Sequence, residues 1–251
     1  MTSRAKHGAP QAGRSPARSE GGARAKSQVG LFGGTFNPIH LGHLRAAEEV
    51  REALGLEKVI FVPSADPPLK RDGAEPLASA QVRLRWVERA IADNPAFAVD
   101  PLELEREGPS FTVDTLRIFA ERLGPELPVF VIGSDAFAEL ALWREPEALL
   151  RLANFAVMTR PPEPLGSLAG WLPEPFAAAY ALSDDRREAR HREAPSWIRL
   201  VPITALDISS TDVRRRLSEG RSVRYLLPDS VLEDVTKSGV YGPMAGPREA
   251  S

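Results

Sequence analysis

From residue 28 onward, short apolar runs alternate with longer amphipathic segments, and this alternation constrains the fold more than any other feature of the chain. Short apolar runs are typical of buried strands, whereas apolar residues at a 3.6-residue spacing indicate helices that cover a sheet. The predicted strands are Gln28–Phe32, Lys58–Val62, Phe97–Val99, Val129–Ile132, Phe155–Met158 and Ile198–Val201. The predicted helices are Gly42–Leu54, Ser79–Ala92, Thr112–Leu123, Pro146–Leu152, Ser210–Ser218 and Asp229–Lys237. We therefore expect an α/β fold with a doubly wound parallel sheet, helices on both faces and a C-terminal helical segment.

Residues 1–27 differ from the rest of the chain in charge and composition. They hold six Lys or Arg residues against one acid, a net charge of +5, so the remainder carries −7 of the total of −2. Because this stretch is rich in Gly, Ala, Ser and Pro and has no apolar period, we predict a disordered basic tail. A solvated extension is our interpretation, and a transit peptide is the alternative. The acidic body argues against general nucleic-acid binding, which relies on Lys and Arg.

The remaining bulk features predict one catalytic domain at 28–240, followed by a flexible C-terminus at 241–251. The chain has no cysteine, which excludes disulfides and fits a reducing compartment, so we expect a cytoplasmic protein. No run of about 18 apolar residues suggests a membrane span. Within the domain, Pro161–Pro195 holds six prolines and a charged run, Asp184–Glu193, and predicts a long connection with a short helix. The sequence leaves the oligomeric state open.

The first predicted strand leads into Gly33 and Gly34, and a helix opens near Gly42. Glycine lets backbone N–H groups approach an anion, and a helix N-terminus adds partial positive charge. His40 and His43 lie three residues apart at the helix mouth, so both imidazoles can donate hydrogen bonds to phosphoryl oxygens. Capping and loop packing are one alternative for this pair. A zinc site is another, but it normally needs at least three protein ligands, so no metal ligand is predicted.

A second phosphate-binding element is predicted in the run Ile208–Leu217. Its Ser and Thr residues are good N-caps, so an ordinary helix start is one interpretation. Arg214, however, falls in or near the first turn, where the helix dipole disfavours a cation. An anionic ligand would remove this conflict.

The run GGTFNPIHLGH at 33–43 resembles the signature of the nucleotidylyltransferase superfamily, whose [HT]-x-G-H motif stands here at 40–43. Within it, GGTFNPIH resembles nicotinate-nucleotide adenylyltransferase, and Ile208–Arg214 is similar to the superfamily's I-S-S-T-x-x-R motif. The resemblance implies a Rossmann-like fold and an enzyme that transfers AMP from ATP to nicotinate mononucleotide. The products would be nicotinate adenine dinucleotide and pyrophosphate, in NAD biosynthesis. It also implies Mg²⁺ as cofactor with ATP. From the acidic body and the lack of a long apolar run, we expect no nucleic-acid or membrane partner.

The resemblance assigns several side chains to the phosphates of ATP. His43 would contact the α-phosphate, His40 the phosphate chain, and Arg214 with Lys70 the departing pyrophosphate. The predicted catalytic residues are His40, His43, Lys70 and Arg214. The predicted ATP-binding residues are Gly33, Gly34, Thr35, Phe36, His40, Gly42, His43, Gly133, Asp135, Ser210, Thr211 and Arg214.

Other segments point to the acceptor nucleotide. Residues 106–116 resemble the family's R-x-G-x-S-[YF]-T-x-x-T-L stretch, in which hydroxyls and free amides at a helix start would bind the nicotinate carboxylate. Simple helix capping by Ser110 or Thr112 is the alternative. The family's G-x-D…W pattern implies that Trp143 stacks on the pyridine, although a core position is the commoner fate of Trp. The predicted substrate-binding residues are Asn37, Lys70, Ser110, Thr112, Trp143 and Arg160.

One position departs from the family pattern. The segment PPLK at 67–70 resembles P-P-H-K, but Leu69 stands in place of the His. Lys70 still supplies a cation, so the departure bears on substrate affinity more than on reaction class. Two other functions remain open. One is an adenylyltransferase or cytidylyltransferase for another phosphate ester, such as phosphopantetheine, and the other is a non-catalytic nucleotide sensor.

Overall fold

The computed structural model describes residues 28–65, 76–159, 168–170, 172 and 174–242 of the chain. The strands in this part are β1 Val29–Gly34, β2 Lys58–Pro63, β3 Phe97–Val99, β4 Val129–Gly133, β5 Asn154–Thr159, β6 Tyr180–Leu182, β7 Glu188–His191 and β8 Trp197–Pro202. The α-helices are α1 Leu41–Leu54, α2 Ala80–Ile91, α3 Leu102–Glu105, α4 Thr112–Leu123, α5 Ser134–Ala138, α6 Pro146–Leu152, α7 Glu174–Ala177, α8 Ser210–Ser218 and α9 Asp229–Lys237. Two short 3₁₀ turns stand at Leu140–Leu142 and Leu168–Gly170.

The strands form one sheet in the order β3-β2-β1-β4-β5-β8-β7-β6. The pairs β1–β2, β2–β3, β1–β4, β4–β5 and β5–β8 are parallel. The chain adds strands outward from β1 in one direction and then, from β4 onward, in the other. This reversal beside β1 is the switch point at which open α/β sheets bind their ligands, at the carboxyl ends of the strands.

Side chains that alternate along the strands divide the core into two layers, one on each face of the sheet. Leu31 belongs to the layer covered by α4, α5 and α6, whereas its neighbour Phe32 belongs to the layer covered by α1, α2 and α9. Phe155 and Ala156 of β5 divide in the same way. The expected Rossmann-like, doubly wound sheet with helices on both faces and a helical C-terminal segment is therefore confirmed. Among the helices in the described part of the chain, none has the length and apolarity needed to cross a bilayer.

The segment Pro161–Pro195 differs from its prediction. The short helix is present as α7, but β6 and β7 form an antiparallel hairpin instead of a plain connection, and β7 pairs antiparallel with β8. In β7 only Ala189 is buried, whereas its two neighbours, Glu188 and Arg190, are charged. Because one small apolar residue within a charged run gives almost no alternation, the strand is hidden in the sequence.

The two ends of the chain are described to different extents. The predicted basic tail at 1–27 lies outside the described residues, as do residues 243–251. Tyr241, which the sequence prediction placed in the flexible C-terminus, is 2% exposed and contacts the ring of Trp86 on α2. The packed body therefore includes this residue.

Candidate active site

The loop between β1 and α1 lies at the switch point of the sheet. Within this loop, the side chain of Phe36 is buried and its backbone is left-handed, with φ of 48°. The following Asn37–Pro38 peptide is cis. A Cβ atom on Gly34 would lie 2.9 Å from the Phe36 ring, closer than such atoms approach one another. Gly34 is thus required for the loop to pack over its own phenylalanine, a reason independent of anion binding.

His40 and His43 stack at the start of α1, with ring centroids 3.6 Å apart and an interplanar angle of 25°. His40 is the N-cap residue, and its backbone N–H donates a hydrogen bond to Nδ1 of His43 at 3.2 Å. Because Nδ1 accepts, the neutral His43 ring carries its proton on Nε2. The second ring nitrogen, Nε2, is then the hydrogen-bond donor of the ring.

The stacked histidine rings limit the size of the residue at position 42, which is Gly42. A Cβ atom at that position would lie 3.0 Å from Nδ1 of His40 and 3.4 Å from the carbonyl oxygen of Ile208. The residue between the two histidines must therefore be small, because it lies between the His40 ring and the segment that leads into α8.

The second predicted phosphate element lies directly against this loop. Ser209 is the N-cap of α8 and accepts a hydrogen bond from the backbone of Asp212 at 3.1 Å. Ser210 donates its hydroxyl to the carbonyl oxygen of Pro38 at 2.9 Å. Arg214, 8% exposed, donates from Nη1 to the carbonyl oxygen of Asn37 at 2.8 Å. Two motifs more than 170 residues apart are thus joined into one surface.

The guanidinium of Arg214 is held close to its own helix as well. Its Nη2 donates to Oγ1 of Thr211 at 3.0 Å. Burial lowers the pKa of Arg214, while the nearby Tyr241 opposes that shift. Because the ordinary pKa of an Arg side chain lies far above neutral pH, the group remains a cation at pH 7. Arg214 is the fifth residue of α8, and its guanidinium reaches back beside Thr211 in the first turn, so the cation lies near the N-terminus of the helix.

Asn37 is a predicted substrate-binding residue whose side chain is bonded to protein. Its Nδ2 donates to the carbonyl oxygen of Pro76 at 3.0 Å, and its Oδ1 accepts from the backbone N–H of Ala78 at 3.1 Å. The hydroxyl of Tyr241 also donates to Oδ1. Burial raises the pKa of Tyr241, which keeps this donor protonated. These contacts give Asn37 a role in shaping the loop, and ligand binding by it stays a prediction.

Sequence reasoning missed Arg83 of α2, which is 0% exposed. It donates from Nη1 to the carbonyl oxygen of Thr35 at 2.6 Å and from Nη2 to that of Ser64 at 2.7 Å. A signal was available, because Arg83 occupies the same helical stripe as Trp86, Val87 and Ala90. A charged residue on the apolar stripe of a helix indicates a buried cation with specific partners.

The acceptor-side segment leads into α4. Ser110 accepts a hydrogen bond from the backbone N–H of Ala65, just after β2, at 3.2 Å. Phe111 is the N-cap of α4 and makes no side-chain cap hydrogen bond, so neither Ser110 nor Thr112 occupies the N-cap position. Thr112 is the first residue of the helix, where backbone amides lack helical partners.

Glu103 is a buried acid behind this segment. It is 7% exposed and accepts a hydrogen bond from Oγ1 of Thr115 at 2.6 Å. Burial raises its pKa, and hydrogen bonds from Thr115 and Ser110 partly oppose the shift. Glu103 therefore connects α3 to the start of α4, where the predicted acceptor-binding residues lie.

Trp143 and Asp135 lie beyond the end of β4. Trp143 is half-buried and meets the Phe130 ring edge-on, with centroids 6.4 Å apart. A Cβ atom on Gly33 would lie 3.4 Å from that same Phe130 ring. One aromatic ring therefore separates Trp143 from the predicted phosphate-binding loop at 33–43, called the phosphate loop below. The carboxylate of Asp135 lies over Gly133, since a Cβ atom there would be 2.5 Å from its Oδ1.

Three positions of the sequence prediction lie outside the described residues, namely Lys70, Arg160 and Leu69. Within the part of the chain that the structure describes, no cluster of three or more His, Cys, Asp or Glu side chains forms a metal site.

Comparison with known proteins gives consistent results. The cytidylyltransferase-like family model matches residues 31–216. A probable nicotinate-nucleotide adenylyltransferase of Trichlorobacter lovleyi is 44% identical over 220 residues, which cover 86% of this chain and 100% of the relative. One from Halorhodospira halophila is 43% identical over 85% of this chain and 95% of the relative. Among solved structures, Plasmodium falciparum nicotinic acid mononucleotide adenylyltransferase complexed with NaAD is similar in fold, with a TM-score of 0.62 at 17% identity. That match covers 86% of this chain and 97% of the other.

Proposed function

The chain belongs to the nicotinate-nucleotide adenylyltransferases, within the cytidylyltransferase-like family, and from this premise we propose how its residues transfer AMP from ATP to nicotinate mononucleotide. An oxygen of the 5′-phosphate of the mononucleotide attacks the α-phosphorus of ATP. The bond from that phosphorus to the bridging oxygen of the β-phosphate breaks, and pyrophosphate leaves. The observation that carries the assignment is the pair of hydrogen bonds by which Ser210 and Arg214 join the two phosphate motifs.

Catalysis at this site is a matter of position and charge. No protein nucleophile is needed, because phosphoryl and nucleotidyl transfers depend mainly on alignment and on stabilisation of charge at the phosphate oxygens. His43 donates from Nε2 to the α-phosphate, since its Nδ1 is engaged by the His40 backbone. His40 is adjacent to the phosphate chain, and Arg214 neutralises the departing pyrophosphate.

Mg²⁺ would enter this site bound to ATP, and the protein would not hold the ion on its own. The loop and the start of α8 offer mainly hydrogen-bond donors and a cation, whereas Mg²⁺ prefers carboxylate, phosphate and water oxygens. Phosphate oxygens and water would therefore be its principal ligands. The metal would supply neutralisation of phosphate charge.

We assign the acceptor nucleotide to the groups around the start of α4 and Trp143. The free amides at the start of α4, with Ser110 and Thr112, are suited to a carboxylate. Trp143 offers an aromatic face one ring away from Gly33. Together these groups favour a planar ring that bears a negative charge, which is the nicotinate part of the mononucleotide.

A substrate panel assayed for pyrophosphate release tests this function. The reactions combine ATP with nicotinate mononucleotide, nicotinamide mononucleotide, phosphopantetheine or no acceptor, and a parallel set replaces ATP with CTP. We expect kcat/KM for the nicotinate nucleotide to exceed that for the nicotinamide nucleotide at least tenfold, about 1.4 kcal/mol of discrimination. Equal efficiency with both pyridine nucleotides would exclude a dedicated carboxylate site. Turnover of phosphopantetheine, or preference for CTP, would overturn the assignment.

A further inference from the structure

Arg83 is a fully buried cation whose described hydrogen-bond acceptors are all backbone carbonyl oxygens. Besides Thr35 and Ser64, it donates to Ala78 at 3.0 Å through Nε and to Ala65 at 3.1 Å through Nη2. Desolvation lowers the pKa of Arg83, and the nearby Tyr241 and Glu103 partly oppose that shift. Burying a charge is costly, and a core position alone would be filled at lower free energy by an apolar side chain of similar volume. The arrangement therefore calls for a reason beyond packing.

The bond to Thr35 determines how the phosphate loop faces its ligand. In a trans peptide the C=O and N–H groups point in opposite directions. With its carbonyl oxygen held against the buried guanidinium, the Thr35–Phe36 peptide turns the N–H of Phe36 away from α2. Phe36 itself has a positive φ of 48°, a conformation that costs a non-glycine residue free energy unless its surroundings impose it. Arg83 is one of the groups that impose it.

The other bonds of Arg83 connect the loop after β1 to the loop after β2. Ser64 is also bonded to β1, because its backbone N–H donates to the carbonyl oxygen of Gly34 at 2.9 Å. Ala65 is held at both polar groups, by Arg83 at its carbonyl and by Ser110 at its N–H. One guanidinium thus fixes the loop assigned to ATP and the segment that adjoins the acceptor side.

We propose that Arg83 is a positioning residue, which rests on the proposed function of the loop as the ATP phosphate site. It acts through the backbone of Thr35 and Phe36, so that amide N–H groups of the loop face the phosphates before ATP arrives. Preorganised donors of this kind are effective because no reorganisation is needed when the ligand binds. Arg83 touches neither substrate.

The test separates phosphate binding from general stability. Arg83→Lys keeps a cation but offers one point of donation in place of a planar fork, so it cannot hold the carbonyls of Thr35 and Ser64 in the same way. Arg83→Met keeps the volume and removes the charge. For each variant, circular dichroism establishes the folded temperature range. Within that range, ATP binding is measured by calorimetry and adenosine binding by ligand-observed NMR, both without acceptor.

We expect the dissociation constant for ATP to rise at least tenfold in Arg83→Lys, while that for adenosine changes less than twofold, because adenosine lacks phosphates. Arg85→Lys is the matched control, since Arg85 lies on the exposed face of the same helix, and both constants should be unchanged. Unaltered ATP binding in folded Arg83→Lys, or equal weakening of ATP and adenosine, would overturn the proposal. If ATP fails to bind the wild-type protein, the proposed function itself is at fault, which the substrate panel shows separately.

Discussion

At the scale of single residues, the site depends on hydrogen bonds that assign donors and acceptors before any ligand is present. His43 is the clearest case, because the backbone of His40 occupies its Nδ1 and leaves Nε2–H as the donor. The sequence predicted the two histidines and their common direction from a three-residue spacing. It did not predict which nitrogen is the donor, since that follows from a backbone contact with no signature in the residue pattern.

Replacement of His43 tests this donor. His43→Ala is expected to lower kcat by about 10²–10³, roughly 3–4 kcal/mol of transition-state stabilisation, as is common when one preorganised donor is lost. His43→Gln carries an amide N–H at a distance comparable to Nε2 and should retain part of the rate. Steady-state kinetics with circular dichroism as a folding control provides the measurement. Turnover of His43→Ala within threefold of wild type would exclude the role.

Glu103 should give the protein a pH-dependent stability. Because burial raises its pKa above the ordinary 4.5, the stability associated with this group is fully present below about pH 4.5 and is lost as pH rises through the folded-state value. Glu103→Gln cannot ionise and can still accept from Thr115. We therefore expect the stability of the variant relative to wild type to increase from pH 4 upward and then to level off. Denaturant titrations across that range measure it.

Glu105→Gln is the control for Glu103, since Glu105 is exposed on the same short helix and its replacement also removes one negative charge. A difference between Glu103→Gln and wild type that stays constant with pH, or falls as pH rises, would contradict the assignment of a buried, destabilised carboxylate.

At the scale of elements, the sequence predicted all the strands that carry the site and missed the hairpin that does not. The strands β1, β2, β4 and β5 are continuous apolar runs because both faces of the sheet are covered. β6 and β7 lie at the far edge and bury few side chains, so their pattern is weak. The hairpin extends the sheet away from the switch point, and we expect it to contribute stability without touching catalysis.

A pair of alanines in the hairpin tests that division. Ala189 of β7 is 0% exposed, whereas Ala181 of β6 faces outward. Ala189→Asp buries an unpaired charge and should lower the free energy of unfolding by roughly 2–4 kcal/mol, while kcat below the melting range stays unchanged. Ala181→Asp should remain within about 0.5 kcal/mol of wild type. A fall in kcat without loss of stability in Ala189→Asp would show that the hairpin reaches the site.

At the scale of the whole molecule, the site is assembled from segments far apart in the chain. The sequence predicted that the loop at 33–43 and the start of α8 serve one ligand, on the basis of family motifs. The long-range contacts that hold the loop in place, from Arg83, Arg214 and Tyr241, could not be predicted, because they end on backbone carbonyls or on one amide side chain. Such long-range polar contacts leave no periodic trace in the sequence.

Tyr241→Phe removes the most distant of these contacts, which joins positions 204 residues apart. Its hydroxyl is buried and shares Oδ1 of Asn37 with the backbone of Ala78, so its loss should cost about 1 kcal/mol of unfolding free energy. Because Asn37 belongs to the phosphate loop, ATP should also bind more weakly. Tyr225→Phe is the control, since Tyr225 is 77% exposed. Equal effects of the two substitutions would contradict a special role for Tyr241.

The contact between Tyr241 and Asn37 also bears on the order of events during translation. The loop that contains Asn37 leaves the ribosome 204 residues before Tyr241, which is one of the groups that hold it. A nascent chain can therefore pair β1 with β2 early, whereas the contacts of the loop with Ser210, Arg214 and Tyr241 form only after those residues have left the exit tunnel. The loop therefore gains its full set of contacts late in synthesis, after the strands that flank it can pair.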